Sequence, residues 1–243
     1  MCLVLVVASA RTVTTAAASA ELERSRQCLV VLTNDWLSTS GRLLAFQRTI
    51  TGNWKRNGFE FPVVLGRNGL GQGPGLIGLK FDSAPNKLEG DNRAPAGIFA
   101  LPSAFGYASA RSADWIKLPY LPVSKETEGI DDPNSRYYNK VVDRMKVAEI
   151  DWRSSERMGR NDILYRWGVI VGYNSTGVPG LGSCIFLHIW KSPTTATTGC
   201  TAMDESNLVR LLRWLDPAKR PILIQLPRGV YESIRSKYGL PLV

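Results

Sequence analysis

The chain has 243 residues, 44% hydrophobic and 21% charged, the balance of a globular domain with one sizeable core rather than of a disordered or fibrous protein. Lys and Arg number 30 against 21 Asp and Glu, and the formal net charge of +9 favours an anionic partner such as a wall polymer, a membrane surface or nucleic acid. No Lys/Arg run of five or more occurs, so a nucleic-acid-binding arm is not expected.

Residues 1–20, MCLVLVVASARTVTTAAASA, carry one charge, an apolar run from Leu3 to Val7 and a small-residue end at Ala18-Ser19-Ala20. The pattern suits an export signal with an A-x-A cleavage site, although a positive start is missing and Arg11 follows the apolar run. It is too short and mixed to span a bilayer, and no integral membrane segment is expected. The expected organisation is a signal over 1–20 and a single domain over 21–243, exported to the periplasm or cell wall. Loss of Cys2 with the signal leaves Cys28, Cys184 and Cys200. In an oxidising compartment an odd count suits one disulfide plus one free thiol, with Cys28–Cys184 a candidate bridge; two buried reduced thiols is the other reading.

Short β-branched or aromatic runs bounded by Gly, Pro or Asn predict strands over 28–33, 42–50, 61–65, 97–101, 167–172, 184–190 and 221–226. GPGLIG at 73–78 has the G-x-G-x-x-G spacing, but Pro74 and Pro85 leave no helix to follow, so it predicts tight turns close to other backbone rather than a dinucleotide site. The polar stretch 122–138 predicts a long surface loop of the kind that lines a site. A weak helical pattern covers 139–150. A stronger helix starts at Asp204 as N-cap, with Leu208, Leu211, Leu212 and Leu215 at helical spacing, and stops before Pro217. The tail after 227 is expected to be exposed, with Tyr231, Ile234 and Tyr238 able to form a short helix. The expected class is mainly β with a few helices.

One histidine and scattered cysteines supply no metal-ligand spacing, and no G-x-S-x-G elbow occurs; no metal and no cofactor are expected. What remains is FLHIWKSPTTATTGCTAM, residues 186–203. Period-two alternation puts Cys184, Phe186, His188 and Trp190 on one strand face and Ile185, Leu187 and Ile189 on the other. The loop KSPTTATT can fold back to bring Cys200 beside His188, as nucleophile and base. Gly199 permits a sharp turn, nearby N–H groups including that of Cys200 can face an oxyanion, and the following helix start favours a thiolate.

These residues resemble the catalytic motif of the L,D-transpeptidases of the YkuD type, in which a histidine-bearing strand precedes a loop ending S-x-G-C. Ala94-Pro95-Ala96-Gly97-Ile98-Phe99 is similar to the family's T-P-x-G-x-F element, and the likeness spans about 28–227. It implies a YkuD-like β-sandwich or barrel-like domain with Cys200 as nucleophile, His188 as base and Gly199 shaping the turn. Thr197 stands where the motif has Ser and Thr198 where it often has His. Ala202 stands where the family commonly has Arg, which marks a divergent branch. Thr197, Thr198, Trp190, Arg93, Asp91 and Tyr107 are the candidate substrate contacts. The implied activity is peptidoglycan L,D-transpeptidation: thioester formation with a tetrapeptide stem, release of D-alanine, and transfer to an amine to give a 3→3 cross-link. Peptidoglycan stem peptides are then the partners. A cysteine hydrolase on cell-wall peptides and a wall-binding module are the alternatives.

Overall fold

The computed structural model describes residues 15–243, with side chains from Ala20 onward; the expected signal, Cys2 included, falls mostly outside the described residues. Helix α1 (Thr15–Arg24) leads into strands β1 (Gln27–Thr33), β2 (Ser40–Arg48), β3 (Trp54–Val64), β4 (Leu70–Gln72), β5 (Ala94–Ala100), β6 (Ser103–Gly106) and β7 (Tyr120–Pro122). Then come β8 (Thr127–Gly129), β9 (Val141–Asp143), β10 (Glu156–Arg157), β11 (Trp167–Ile170), β12 (Phe186–Ile189) and β13 (Thr201–Met203). Helix α2 (Glu205–Trp214), strand β14 (Ile222–Pro227) and helix α3 (Arg228–Arg235) complete the described chain. The protein is mainly β.

Eleven strands form one mixed sheet in the order β4-β5-β14-β1-β2-β3-β13-β12-β11-β6-β7, and β10-β8-β9 form a small second sheet. Every residue of β1 and of β14 is buried, and the two run parallel, in keeping with their near-continuous apolar sequences. All seven expected strands form, six of them within three residues of their predicted bounds; the one predicted over 61–65 starts seven residues earlier, at Trp54. Asp204 caps α2 by accepting the Ser206 N–H at 2.9 Å, and Leu208, Leu211 and Leu212 face the main core.

Three expectations fail, each for a local reason. The segment 139–150 is not helical: Asn139 takes a left-handed backbone (φ 61°), and Val141–Asp143 pairs with β8 instead. Strand β12 begins two residues later than predicted because Cys184 is also left-handed (φ 53°), held by its N–H to Asn139 Oδ1 at 2.8 Å. The third is the candidate Cys28–Cys184 bridge, in place of which the other reading holds: both are free, buried thiols, in two separate hydrophobic cores.

The tail is also more embedded than expected. Tyr231 on α3 is fully buried and its hydroxyl donates to the Pro241 carbonyl at 2.7 Å, while Leu240 is buried in the same core. Tyr231→Ala therefore removes a filled aromatic site and a buried hydrogen bond, and a loss of about 4 kcal/mol is expected in urea unfolding. A loss under about 1 kcal/mol would show that α3 is peripheral to the core.

Candidate active site

Strand β12 lies between β11 and β13, antiparallel to the first and parallel to the second. The predicted alternation is observed: Ile185, Leu187 and Ile189 enter the main core, whereas Cys184 and Phe186 enter a second cluster with Phe105, Tyr165 and Cys200. His188 is 7% exposed on that second face, against the edge of the Tyr165 ring at 5.2 Å between centroids. Its Nδ1 is 2.8 Å from the Ile189 carbonyl oxygen. A carbonyl can only accept, so Nδ1 carries the proton and Nε2 keeps the lone pair that a general base requires. Burial holds the His188 imidazole down to about 4, with the Arg160 charge acting in the same direction against the Ile189 hydrogen bond.

The parallel register sets Leu187 beside Thr201 and His188 beside Ala202, so Cys200, just before β13, shares a sheet face with Ala202 and His188. The Cys200 sulfur accepts the Phe186 N–H at 3.3 Å and lies 3.7 Å from the Cys184 carbonyl, to which the thiol donates. Burial pushes this thiol up to about 12, and the Glu156 carboxylate adds to the rise. The expected help from the helix start is not realised: β13 separates Cys200 from α2, and the field of a helix terminus fades within a turn. Among the described residues no hydrogen bond joins His188 to Cys200. Tyr165 stands against the imidazole, and its hydroxyl donates to Glu156 Oε1 at 2.6 Å. The resting pair is thus a neutral thiol and a neutral imidazole.

The turn that delivers Cys200 is built by Thr197. Its hydroxyl donates to the Cys200 carbonyl at 2.6 Å and accepts the Gly199 N–H at 3.1 Å, while its backbone bonds with Leu65 and Arg67 hold the loop beyond the end of β3. Gly199 has φ 151°, and a Cβ there would meet the Arg93 carbonyl oxygen at 3.1 Å. Thr201 is anchored from behind: its hydroxyl donates to Gln225 Oε1 at 2.7 Å, and Gln225 Nε2 donates to the Pro95 carbonyl at 2.8 Å. Thr197→Val removes both hydroxyl bonds, and a loss of about 2 kcal/mol in urea unfolding is expected. An unchanged unfolding midpoint would mean that the turn is held by its backbone bonds alone.

Two cavities adjoin at this turn. One, of about 180 Å³, is lined by Cys200, Gly199, Thr198, Ser183, Lys87, Glu89, Asp131 and Glu156, among others. The second, of about 220 Å³, is lined by His188, Trp190, Tyr165, Arg160, Lys191 and Ala202. Glu156 and Thr198 line both. The structure therefore brings Cys200, Gly199, Thr198, His188 and Trp190 to one region, with Thr197 shaping it from within the turn.

Arg93, Asp91 and Tyr107 line neither cavity. The Arg93 guanidinium binds the Asn68 and Leu70 carbonyls at 2.5 and 3.1 Å, and only its backbone abuts Gly199. Asp91 pairs with the buried Lys87 at 2.6 Å and accepts the Leu88 and Arg93 N–H groups. Tyr107 packs on the second cluster with its hydroxyl unpartnered. Ala202 presents a methyl group to the second cavity, where Arg160 and Lys191 are the cations, the Arg160 guanidinium shared with Asp162 at 2.8 Å. Glu156, Tyr165, Arg160, Lys87 and Ser183 lie in stretches without a motif and were not legible as site residues. Asp131 comes from the polar segment 122–138, expected to be a long surface loop that lines a site; the segment does reach the cavity, but it carries the buried strand β8 instead of running over the surface. No helix among the described residues is long and apolar enough to cross a membrane. No family model, curated protein or solved structure matches this chain.

Proposed function

We propose that the protein is a peptidoglycan L,D-transpeptidase of the YkuD type, exported to the periplasm or cell wall, with Cys200 as nucleophile and His188 as base. One observation carries most of the weight. The cysteine forms part of a cavity wall and shares a sheet face with a histidine whose free lone pair is on Nε2. The motif resemblance supplies the substrate class.

In this account the tetrapeptide stem enters across both cavities and displaces the weak thiol contact to the Cys184 carbonyl. His188 Nε2 takes the thiol proton as sulfur attacks the carbonyl at the L-centre of the diaminopimelate, and returns it to the amine of the departing D-alanine. The Gly199 N–H is already engaged by Thr197, so the Cys200 N–H is the proposed donor to the oxyanion. An amine of a second stem then attacks the thioester and restores the thiol. Two neutral groups at rest require that substrate binding bring imidazole and thiol into register, since catalytic hydrogen bonds commonly tighten only in the complex.

Incubation of the purified protein with disaccharide tetrapeptide, followed by mass spectrometry, tests this. Dimers lacking one D-alanine are expected. Trimmed tripeptide without dimer would make the protein a cysteine hydrolase, and unchanged substrate would leave a wall-binding module.

A further inference from the structure

The cavity beside Cys200 has the opposite charge to the chain as a whole. The protein carries a formal net charge of +9, yet three carboxylates, Glu89, Asp131 and Glu156, line this cavity against one ammonium, that of Lys87. Lys87 is 4% exposed and is already matched, at 2.6 Å from Asp91 and 2.6 Å from the Leu88 carbonyl. Glu89 and Glu156 each accept a tyrosine hydroxyl at 2.6 Å, from Tyr138 and Tyr165, and Arg160 reaches Glu156 only at 3.9 Å. Asp131 Oδ1 is buried without any hydrogen-bond partner.

A second observation points the same way. Ser183, 8% exposed, lines this cavity, and its Oγ is also buried without a partner. Buried polar atoms are rarely left unpaired unless a ligand or water meets them. A carboxylate oxygen only accepts, whereas a serine hydroxyl accepts or donates, so a cationic donor with several hydrogens satisfies both orphaned atoms at once. A metal ion is a poor fit, because no group of three His, Cys, Asp or Glu side chains among the described residues is arranged to hold one. A primary ammonium, compact and bearing three donors, matches the space and the acceptors.

Resting on the transpeptidase reading, we propose that this cavity binds the free ammonium of the diamino-acid residue in the stem peptide, through Asp131, Glu156 and Ser183. The placement has a chemical consequence at the neighbouring sulfur. Glu156 opposes ionisation of Cys200, and a cation delivered beside that carboxylate offsets the opposition as substrate binds. The substrate's own charge then removes the carboxylate's share of the rise, while burial, the larger cause, remains.

Binding and chemistry can be tested apart. The Cys200→Ala protein is titrated by calorimetry with disaccharide tetrapeptide bearing a free diaminopimelate amine, and with the same compound acetylated at that amine. The free amine is expected to bind about tenfold more tightly, the scale of a charge-assisted hydrogen bond, and Asp131→Asn added to Cys200→Ala should shrink the preference. Equal affinity for the two compounds, or binding of neither, overturns the ammonium site. Release of D-alanine by the unaltered protein is measured in parallel. A preference for the free amine without any D-alanine release would keep the ammonium site and overturn the transpeptidase reading, whereas release without preference would do the reverse.

Discussion

Cys200→Ala is expected to abolish D-alanine release from the tetrapeptide, a fall of at least about a thousandfold in kcat, because the covalent route loses its only atom able to carry the acyl group. The fold should survive. The side chain occupies a small place in the second core cluster and makes one accepted hydrogen bond, from the Phe186 N–H, so the stability cost is about 1 kcal/mol. Cys28 cannot substitute, since it is fully buried in the main core and lines neither cavity; Cys184 lines the same cavity as Cys200, so Cys184→Ala is the control that tells the two thiols apart. Parallel measurement of turnover and urea unfolding separates the two effects. Full release of D-alanine by the alanine variant would rule out Cys200 as the nucleophile.

His188→Ala is expected to lower kcat by about 10²- to 10⁴-fold, the range of a lost general base. It should also change how stability depends on pH. The imidazole is pushed from 6.5 down to about 4 by burial, so between those values the unfolded chain takes up a proton that the folded chain refuses. Stability attributable to His188 is complete above pH 6.5, falls as pH drops through that window, and levels off below about pH 4. The full loss is about 3 kcal/mol. Carboxylates with lowered values, such as Asp151, lose stability on acidification as well, so the readout is the difference between the two proteins. Melts of both at pH 7 and pH 4.5 should show a steeper fall for the unaltered chain. Equal falls would mean that the ring is protonated in the folded state.

Much of this was legible in the sequence, and the particular residues show why. Alternation in CIFLHIW placed His188 correctly because period two is a property of any strand, and the Asp204 cap with its leucine spacing placed α2. The turn at Gly199-Cys200 was legible through its glycine. Asn139 is of a residue type that tolerates a left-handed backbone, but the helical spacing over 139–150 masked that signal. Left-handed Cys184 was not legible, since cysteine does not announce such a backbone. Nor was the ionisation of Cys200. The order along the chain suggested a helix start, and the three residues of β13 that intervene remove its influence and leave burial to dominate. Arg93, Asp91 and Tyr107 sat near the right motif in sequence, but their side chains turn into backbone carbonyls, an ion pair and a hydrophobic cluster. Glu156 and Tyr165 were invisible because they reach the site from strands and loops distant in sequence, through contacts that only the tertiary fold creates.

The most direct test of the account is to quench the protein with acid during reaction with tetrapeptide and to map the adduct by peptide mass spectrometry. An acyl group that adds the mass of the tripeptide stem and is labile to hydroxylamine is expected on the peptide that contains Cys200. An adduct on Cys28 or Cys184, or D-alanine released with no thioester trapped at Cys200, would contradict it.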